Sequence, residues 1–311
     1  MICVAICTRE RPKMLHRLLT SCTEINLDDR SNLSFIVVEN GEAAGASSVV
    51  DGFRTQLDIS YINETSLGIV NARNTAVEHF LGSGAEWMAS FDDDEIVSSG
   101  WLTAMLDAID SYSECRVFAG PQIRVPSKNA SIWFPYKQQN FMETGTKNWN
   151  VSTANILFQR SIFSMDGLNA RFDIRFNLSG GEDTQLFYML KDLGEEILWV
   201  SDAKCIEPTI DTRGTFRAKS ERITVRAQNW GNITLLRLNP ILGGLLVFWY
   251  LIASMLNVFS FTIIGIVVLV FSELKGIYFL SRALESAFKA LGYFMSLLSK
   301  SGRYYKETDG N

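Results

Sequence analysis

Over its first hundred residues the chain alternates between short, mainly apolar runs and segments whose apolar residues recur every three or four positions. ICVAIC (2–7), FIVV (35–38), ISYIN (59–63) and WMASF (87–91) read as buried strands. Between them, Leu15, Leu18, Leu19 and Cys22 share one face of a helix over 11–22, with Pro12 in its first turn. A small-residue helix is expected over about 43–56, and Gly68 opens another over 69–81. Continuous apolar strands alternating with helices predict an α/β fold: a mostly parallel sheet covered on both faces.

From about 117 to 215 the runs shorten and become aromatic: VFAGPQIRV, WFPY, ANILFQR and EEILWVSDAKCIE. Among them FNLSGGEDTQLFYMLKDLG gives a glycine turn, two acids and a helix with Leu186, Phe187, Leu190 and Leu193 inward. From Leu238 to Ser272 there is no charged residue. The 31 residues from Ile241 to Phe271 would make about 46 Å of helix, against a bilayer core of about 30 Å. Arg222, Arg226 and Arg237 precede the run, and Lys275, Arg282 and Lys289 follow it, which puts both ends on the cytosolic side. Asn257 and Ser260 could satisfy a turn in its middle. The pattern thus predicts two short helices in a shallow or re-entrant hairpin (about 238–272), then an amphipathic interfacial helix (about 276–299). A buried homodimer interface is the alternative. The expected domains are a catalytic unit over 1–230, with halves 1–115 and 116–230, and a membrane-associated unit over 231–311.

The net charge of −5 over 311 residues supplies no basic field for nucleic acid. Five scattered cysteines without a CxxC suggest reduced thiols in the cytosol rather than disulfides or zinc. The chain opens directly on an apolar strand, so no secretory leader is expected, and the six Asn-X-Ser/Thr sequons are taken as chance.

In parallel sheets, ligands bind beyond the carboxyl ends of the strands. Thr8-Arg9-Glu10 follows the first strand, Glu39-Asn40 the second, and Asp92-Asp93-Asp94-Glu95 the fourth. Packed acids repel one another unless a cation sits among them. Hard Mg²⁺ or Mn²⁺ takes carboxylate oxygens while leaving positions open for phosphate. An acidic surface turn is the bland alternative; the preceding buried strand argues against it.

AICTRERP, IVVEN, LGIVNARNTA, WMASFDDDEIVSSGWL and GGEDTQLFYMLKDLG occur in the order and spacing of glycosyltransferase family two, which roughly residues 1–230 resemble. The resemblance implies a GT-A fold, a nucleotide-sugar donor, a divalent metal and single-displacement transfer with inversion. The tail is similar to those of bacterial enzymes that build envelope glycans on lipid carriers. It implies a lipid-linked saccharide acceptor and a place on the cytoplasmic face of the inner membrane. Carried over by position, Thr8, Arg9 and Glu10 line the nucleotide. Glu39 accepts from the base, which favours UDP, and Asn71 and Arg73 meet base and diphosphate. Asp92 and Asp93 fall on the donor side, Asp92 at the ribose, and Asp94 on the metal. Asp183 matches the catalytic base, although it could simply cap a helix; Asn155 and Glu182 fall beside sugar and acceptor.

Two departures stand out. Many members place a late histidine on the metal, but His16 and His79 both fall in predicted helices, leaving Glu207 of CIEP as the stand-in ligand. Processive members carry QxxRW; here the nearest match is RAQNW (226–230), which implies transfer of one sugar at a time. A nucleotidyltransferase would want a lysine-bearing glycine loop after the first strand, which CTRERPK lacks. An inactive membrane scaffold of the same fold is the non-enzymatic alternative.

Overall fold

A computed structural model describes residues 1–26, 33–42, 45–126, 133, 142–209 and 214–298. The start of the helix expected over 43–56, most of WFPY, two sequons (Asn32 and Asn129) and everything after 298 lie outside them.

The first half runs β1 (Ile2–Thr8), α1 (Pro12–Thr23), β2 (Leu33–Asn40), α2 (Gly45–Phe53), β3 (Ile59–Glu64), α3 (Ile69–Gly82) and β4 (Trp87–Asp92). There follow β5 (Ile96–Val97), α4 (Trp101–Ser111), β6 (Val117–Ala119), β7 (Gln122–Val125), β8 (Asn155–Gln159), α5 (Glu182–Asp192), β9 (Ile197–Trp199) and β10 (Cys205–Pro208). Three long helices complete the described chain: α6 (Phe216–Arg237), α7 (Pro240–Leu269) and α8 (Glu273–Leu297).

The main sheet has seven strands in the order β3-β2-β1-β4-β8-β6-β9. It is parallel except for β8, which runs against β4 and β6. On one face Leu15 and Leu18 of α1, Val50 of α2 and Trp101 and Leu102 of α4 cover it. On the other, Val77 and Phe80 of α3 and Leu186, Phe187 and Leu190 of α5 do so. Burying each such side chain stabilises the fold by about 1.5–3 kcal/mol. β3 is an edge strand and half-exposed, because among the described residues no further strand covers its outer side. A small sheet, β5-β10-β7, closes over the end of β4. Register decides what gathers there: Cys7 lies beside Asp92, and Thr8 beside Glu39.

Two expectations fail. Leu193 is 54% exposed, because α5 ends at Asp192 and Met189 packs against the core instead. The apolar run is one continuous helix, α7, not two short ones. Asn257 and Ser260 leave the helix intact, because a break would strand main-chain amides that the helix satisfies internally. Asn239 caps its start, the Oδ1 accepting from the Leu242 N–H at 2.9 Å. The turn comes later, at 270–272, where α8 begins three residues earlier than expected.

Gly68, at φ +129, precedes α3, and a Cβ there would strike the Asn177 side chain. Asn177 Oδ1 accepts from the Val70 and Asn71 N–H groups at 3.0 and 3.2 Å, capping α3 from 107 and 106 residues away in sequence. Gly68→Ala should therefore destabilise by at least about 1–3 kcal/mol, seen as a lowered thermal midpoint. An unchanged midpoint would contradict this packing.

Candidate active site

Beyond the carboxyl ends of β1 and β4 opens a cleft of about 1290 Å³. The turn after β1 is tight. Glu10 takes a left-handed φ of 53°, and Pro12 starts α1. This aims Arg11 at the acidic cluster, its guanidinium donating to Asp93 Oδ1 at 3.1 Å, while Thr8 Oγ1 donates to Asp93 Oδ2 at 2.8 Å. Arg17 donates to the Asp94 carbonyl at 2.8 Å. Asp93 is thus held by protein groups, while Asp92 and Asp94 flank it at the cleft wall.

The electrostatics are crowded. Burial pushes the Asp92 carboxyl up to about 6; Arg73 opposes this, and Asp94, Asp93 and Glu207 add to it. Burial likewise raises Asp93, against Arg11. Burial pushes Glu95 up to about 9, against a hydrogen bond from Gln122, and its second oxygen, Oε2, is buried without a hydrogen-bond partner. Glu207, on β10 beside the cluster, accepts from Arg124 Nε at 2.7 Å.

Facing the aspartates, Gly181 in a left-handed conformation turns the chain into α5, whose first residues are Glu182 and Asp183. Asn229 of α6 packs behind that glycine and donates to the Ser179 carbonyl at 3.0 Å. Asp183 Oδ1 accepts from the Thr184 N–H at 2.6 Å, and the residue lines the cleft. Glu182 is buried and its carboxyl is raised by burial, with Arg73 opposing. Arg73 ties the two halves together: it pairs with Glu182 through one guanidinium nitrogen and reaches Asp92 at 3.5 Å through another. Its Cζ sits 5.6 Å from the Phe172 ring. Beyond Asp183 the cleft is walled by Trp149, Tyr188 and Trp230, the last two packed edge to face at 5.2 Å.

Thr8, Arg9, Arg73, Asp92, Asp93, Asp94, Asn155, Glu182, Asp183 and Glu207 all border this one cleft. Three expected residues do not. Glu10 lies outside the cleft lining and pairs with the neighbouring Arg9 at 3.9 Å. Asn71 donates to the Ser66 and Leu67 carbonyls at 3.0 and 3.2 Å, shaping the loop before α3. Glu39 is buried, accepting from the Tyr61 hydroxyl at 2.7 Å and from the Ala46 N–H at 3.2 Å. Burial, with Glu39 adding to it, pushes the Tyr61 hydroxyl up to about 12. Asn155, though beside the cleft, is a pin: it accepts from Trp101 Nε1 at 2.8 Å and donates to the Pro121 and Ala203 carbonyls. Its amide is satisfied by the protein, which argues against a sugar contact. Sequence reasoning does not reach Arg11, Arg124 or Asn177, and it reaches Asn229 only as part of RAQNW. Arg11 carries a signal as one of two arginines in the loop after β1.

Among the described residues no three His, Cys, Asp or Glu side chains already form a metal cage. The donor set nevertheless fits a hard cation. Mg²⁺ is commonly held by one or two carboxylates plus substrate phosphates, and mutual repulsion among Asp92, Asp94 and Glu207 is what a divalent charge relieves.

A family model described as glycosyl transferase family 2 matches residues 3–167. The succinoglycan biosynthesis protein ExoM of Rhizobium meliloti (strain 1021) is 28% identical over 241 residues, covering 74% of each chain. Of solved structures, S. aureus TarS 1–349 in complex with UDP-GlcNAc superposes with a TM-score of 0.57 at 16% identity, covering 78% of this chain and 69% of that one. The mannosyltransferase PcManGT of Pyrobaculum calidifontis, in complex with GDP-Man and Mn²⁺, gives 0.59 at 15% identity, covering 93% and 86%. At these identities the structural likeness speaks to fold.

Proposed function

This chain belongs to glycosyl transferase family 2, with a GT-A fold, and on that premise we propose that it transfers one sugar, with inversion, from a nucleotide sugar to a lipid-linked glycan at a membrane. Similarity to ExoM supports a place in exopolysaccharide biosynthesis. The observation that carries the proposal is the meeting of Asp92-Asp93-Asp94 and Glu182-Asp183 across one cleft, with Arg73 between them.

Asp183 takes the proton from the acceptor hydroxyl as that oxygen attacks the anomeric carbon from the side opposite the diphosphate. The C1–O bond to the diphosphate breaks as the new glycosidic bond forms, so the configuration inverts. Asp94, with Glu207 beside the same cluster, would hold Mg²⁺ or Mn²⁺, which would stabilise charge on the departing diphosphate. Asp92 is placed for a ribose hydroxyl, and Thr8 and Arg9 border the same donor pocket. Trp149, Tyr188 and Trp230 give the acceptor end apolar faces for sugar rings. The nucleotide is proposed as UDP. Glu39, which favoured it, serves Tyr61 and Ala46 instead, and the structural neighbours hold UDP-GlcNAc in one case and GDP-Man in the other, so the base is left to the titration below.

Asp94→Ala should abolish the rise in melting temperature that Mn²⁺ plus UDP gives the unsubstituted chain, since binding to the folded state must stabilise it. Calorimetric titration with UDP and GDP tests the base. Tighter binding of GDP would overturn the UDP assignment, and an Asp94→Ala chain still stabilised by Mn²⁺ plus nucleotide would overturn the metal assignment.

A further inference from the structure

We propose that α7 lies along a membrane, sunk in one leaflet with its axis parallel to the surface, rather than crossing it. The inference deepens the membrane part of the proposed function and is independent of which sugar is moved. α7 has no Asp, Glu, Lys or Arg over its 30 residues, and it is exposed around most of its circumference. Its buried residues, Gly243, Val247, Ser254 and Gly265, form a narrow seam where the neighbouring helices touch it. Water is a poor solvent for such a surface, and a lipid interior is a good one.

Length and composition alone would permit a crossing; the partner helix does not. α8 folds back along α7, with Gly276 beside Leu269, Gly265 beside Leu280, Phe279 against Phe261 and Tyr293 against Tyr250. This pairing fixes the height of each α8 charge along the α7 axis. Glu273 and Lys275 lie at the tip, beyond Leu269. Arg282 sits at the level of Phe261, 5.9 Å from its ring. Glu285 and Lys289 fall between the Phe261 and Tyr250 levels, joined to one another at 2.8 Å. Arg237 closes the base, where α6 ends. On α8 the charge-free stretches on either side of the Arg282–Lys289 group are therefore short: the six residues 276–281 toward the tip and the nine described residues 290–298 toward the base, or roughly 9 and 14 Å at about 1.5 Å per residue. A perpendicular crossing needs about 30 Å clear of charge. No slab of that depth can be drawn across this hairpin.

Laid flat, the same residues sort themselves. A helix about 10 Å across fits within one leaflet, so α7, apolar all round, can be immersed along its whole length. α8 packs between α7 and α6. It would lie at headgroup depth, where Lys275, Arg282 and Lys289 reach the phosphates of an anionic surface. Its exposed Leu274, Tyr278, Leu291, Phe294 and Leu298 add apolar contact with the lipid. Gly292 packs on the Thr224 carbonyl and Ala227, and Gly231 on Ser296, so α8 is fixed closely to α6. α6 supplies Arg222, Arg226 and Trp230 to the cleft. At about 8–10 Å between helix axes, that wall stands roughly 20 Å above the immersed helix, near enough to meet an acceptor anchored in the same leaflet.

The test is site-directed labelling of the full chain in spheroplasts with a membrane-impermeant maleimide. Lys275→Cys, at the hairpin tip, should label only after the inner membrane is opened, against the unsubstituted chain as control. Labelling from outside would mean a crossing and would overturn the proposal. In parallel, the triple variant Ile263→Lys, Val267→Lys, Val270→Lys should move from the membrane to the soluble fraction while keeping donor hydrolysis. A variant that stays in the membrane would overturn it. So would one that leaves fractionation unchanged but splits a dimer, since the face would then belong to a second copy. Both readouts stand whether or not glycosyl transfer is observed.

Discussion

Asp183→Asn should lower glycosyl transfer by about a thousandfold, within the range that general-base catalysis contributes, and leave nucleotide affinity nearly unchanged. The amide keeps the shape of the carboxylate, and its oxygen can still accept the Thr184 N–H bond that Asp183 Oδ1 accepts at 2.6 Å, so the start of α5 is preserved. It cannot take a proton from an acceptor hydroxyl. Because the donor aspartates lie on β4 and the loop after it, their geometry does not depend on this side chain. Stopped transfer kinetics with intact calorimetric binding of UDP and Mn²⁺ is the expected pair of results. Equal loss of both would mean that Asp183 supports the donor site rather than the attack.

Arg73→Leu should be the most destabilising single change at the site. Arg73 is 9% exposed and Glu182 2%, so the substitution leaves a buried carboxylate without its cation. Breaking such a pair on one side costs about 3–5 kcal/mol. For a chain of this size that corresponds to a fall in thermal midpoint of roughly 10 °C. The double variant Arg73→Leu, Glu182→Leu should recover most of the loss, because neither charge is then buried alone. If the double variant were as unstable as the single one, the pair would not be what holds α3 to the turn before α5. Arg73 was expected at the donor diphosphate. Its contacts to Glu182 and Asp92 make it a strut between the end of β4 and the start of α5.

What could be read ahead of the structure follows the range of the interactions involved. β1, β2 and β4 announce themselves because both faces of a parallel strand are buried, so their residues are mostly apolar on both sides. The acidic cluster was legible because an unbroken run of carboxylates after such a strand has few structural uses. The partners of those carboxylates were not: Arg124 reaches Glu207 from 83 residues away and Asn177 caps α3 across 107, and local pattern carries no trace of either. Glu39 and Asn155 were misjudged for a related reason. A polar residue at a strand end can face a ligand or pin a neighbouring loop, and only the positions of Tyr61, Ala46, Trp101 and Ala203 distinguish the two. Asn257 and Ser260 read as a turn because they are polar in an apolar run, yet the run continues through them as helix. The deciding contacts there are with α8, which the α7 segment does not encode.

The central claim is that this cleft moves a sugar from a nucleotide carrier with inversion and with help from a divalent cation. Donor hydrolysis across a panel of α-linked nucleotide sugars, followed by proton NMR with Mn²⁺ present or chelated, tests it most directly. The account predicts that one sugar nucleotide is consumed to its nucleoside diphosphate. The sugar should first appear as the β-anomer, and both signals should vanish on chelation or in Asp94→Ala. Release of the α-anomer, or turnover that persists without the cation, would contradict it.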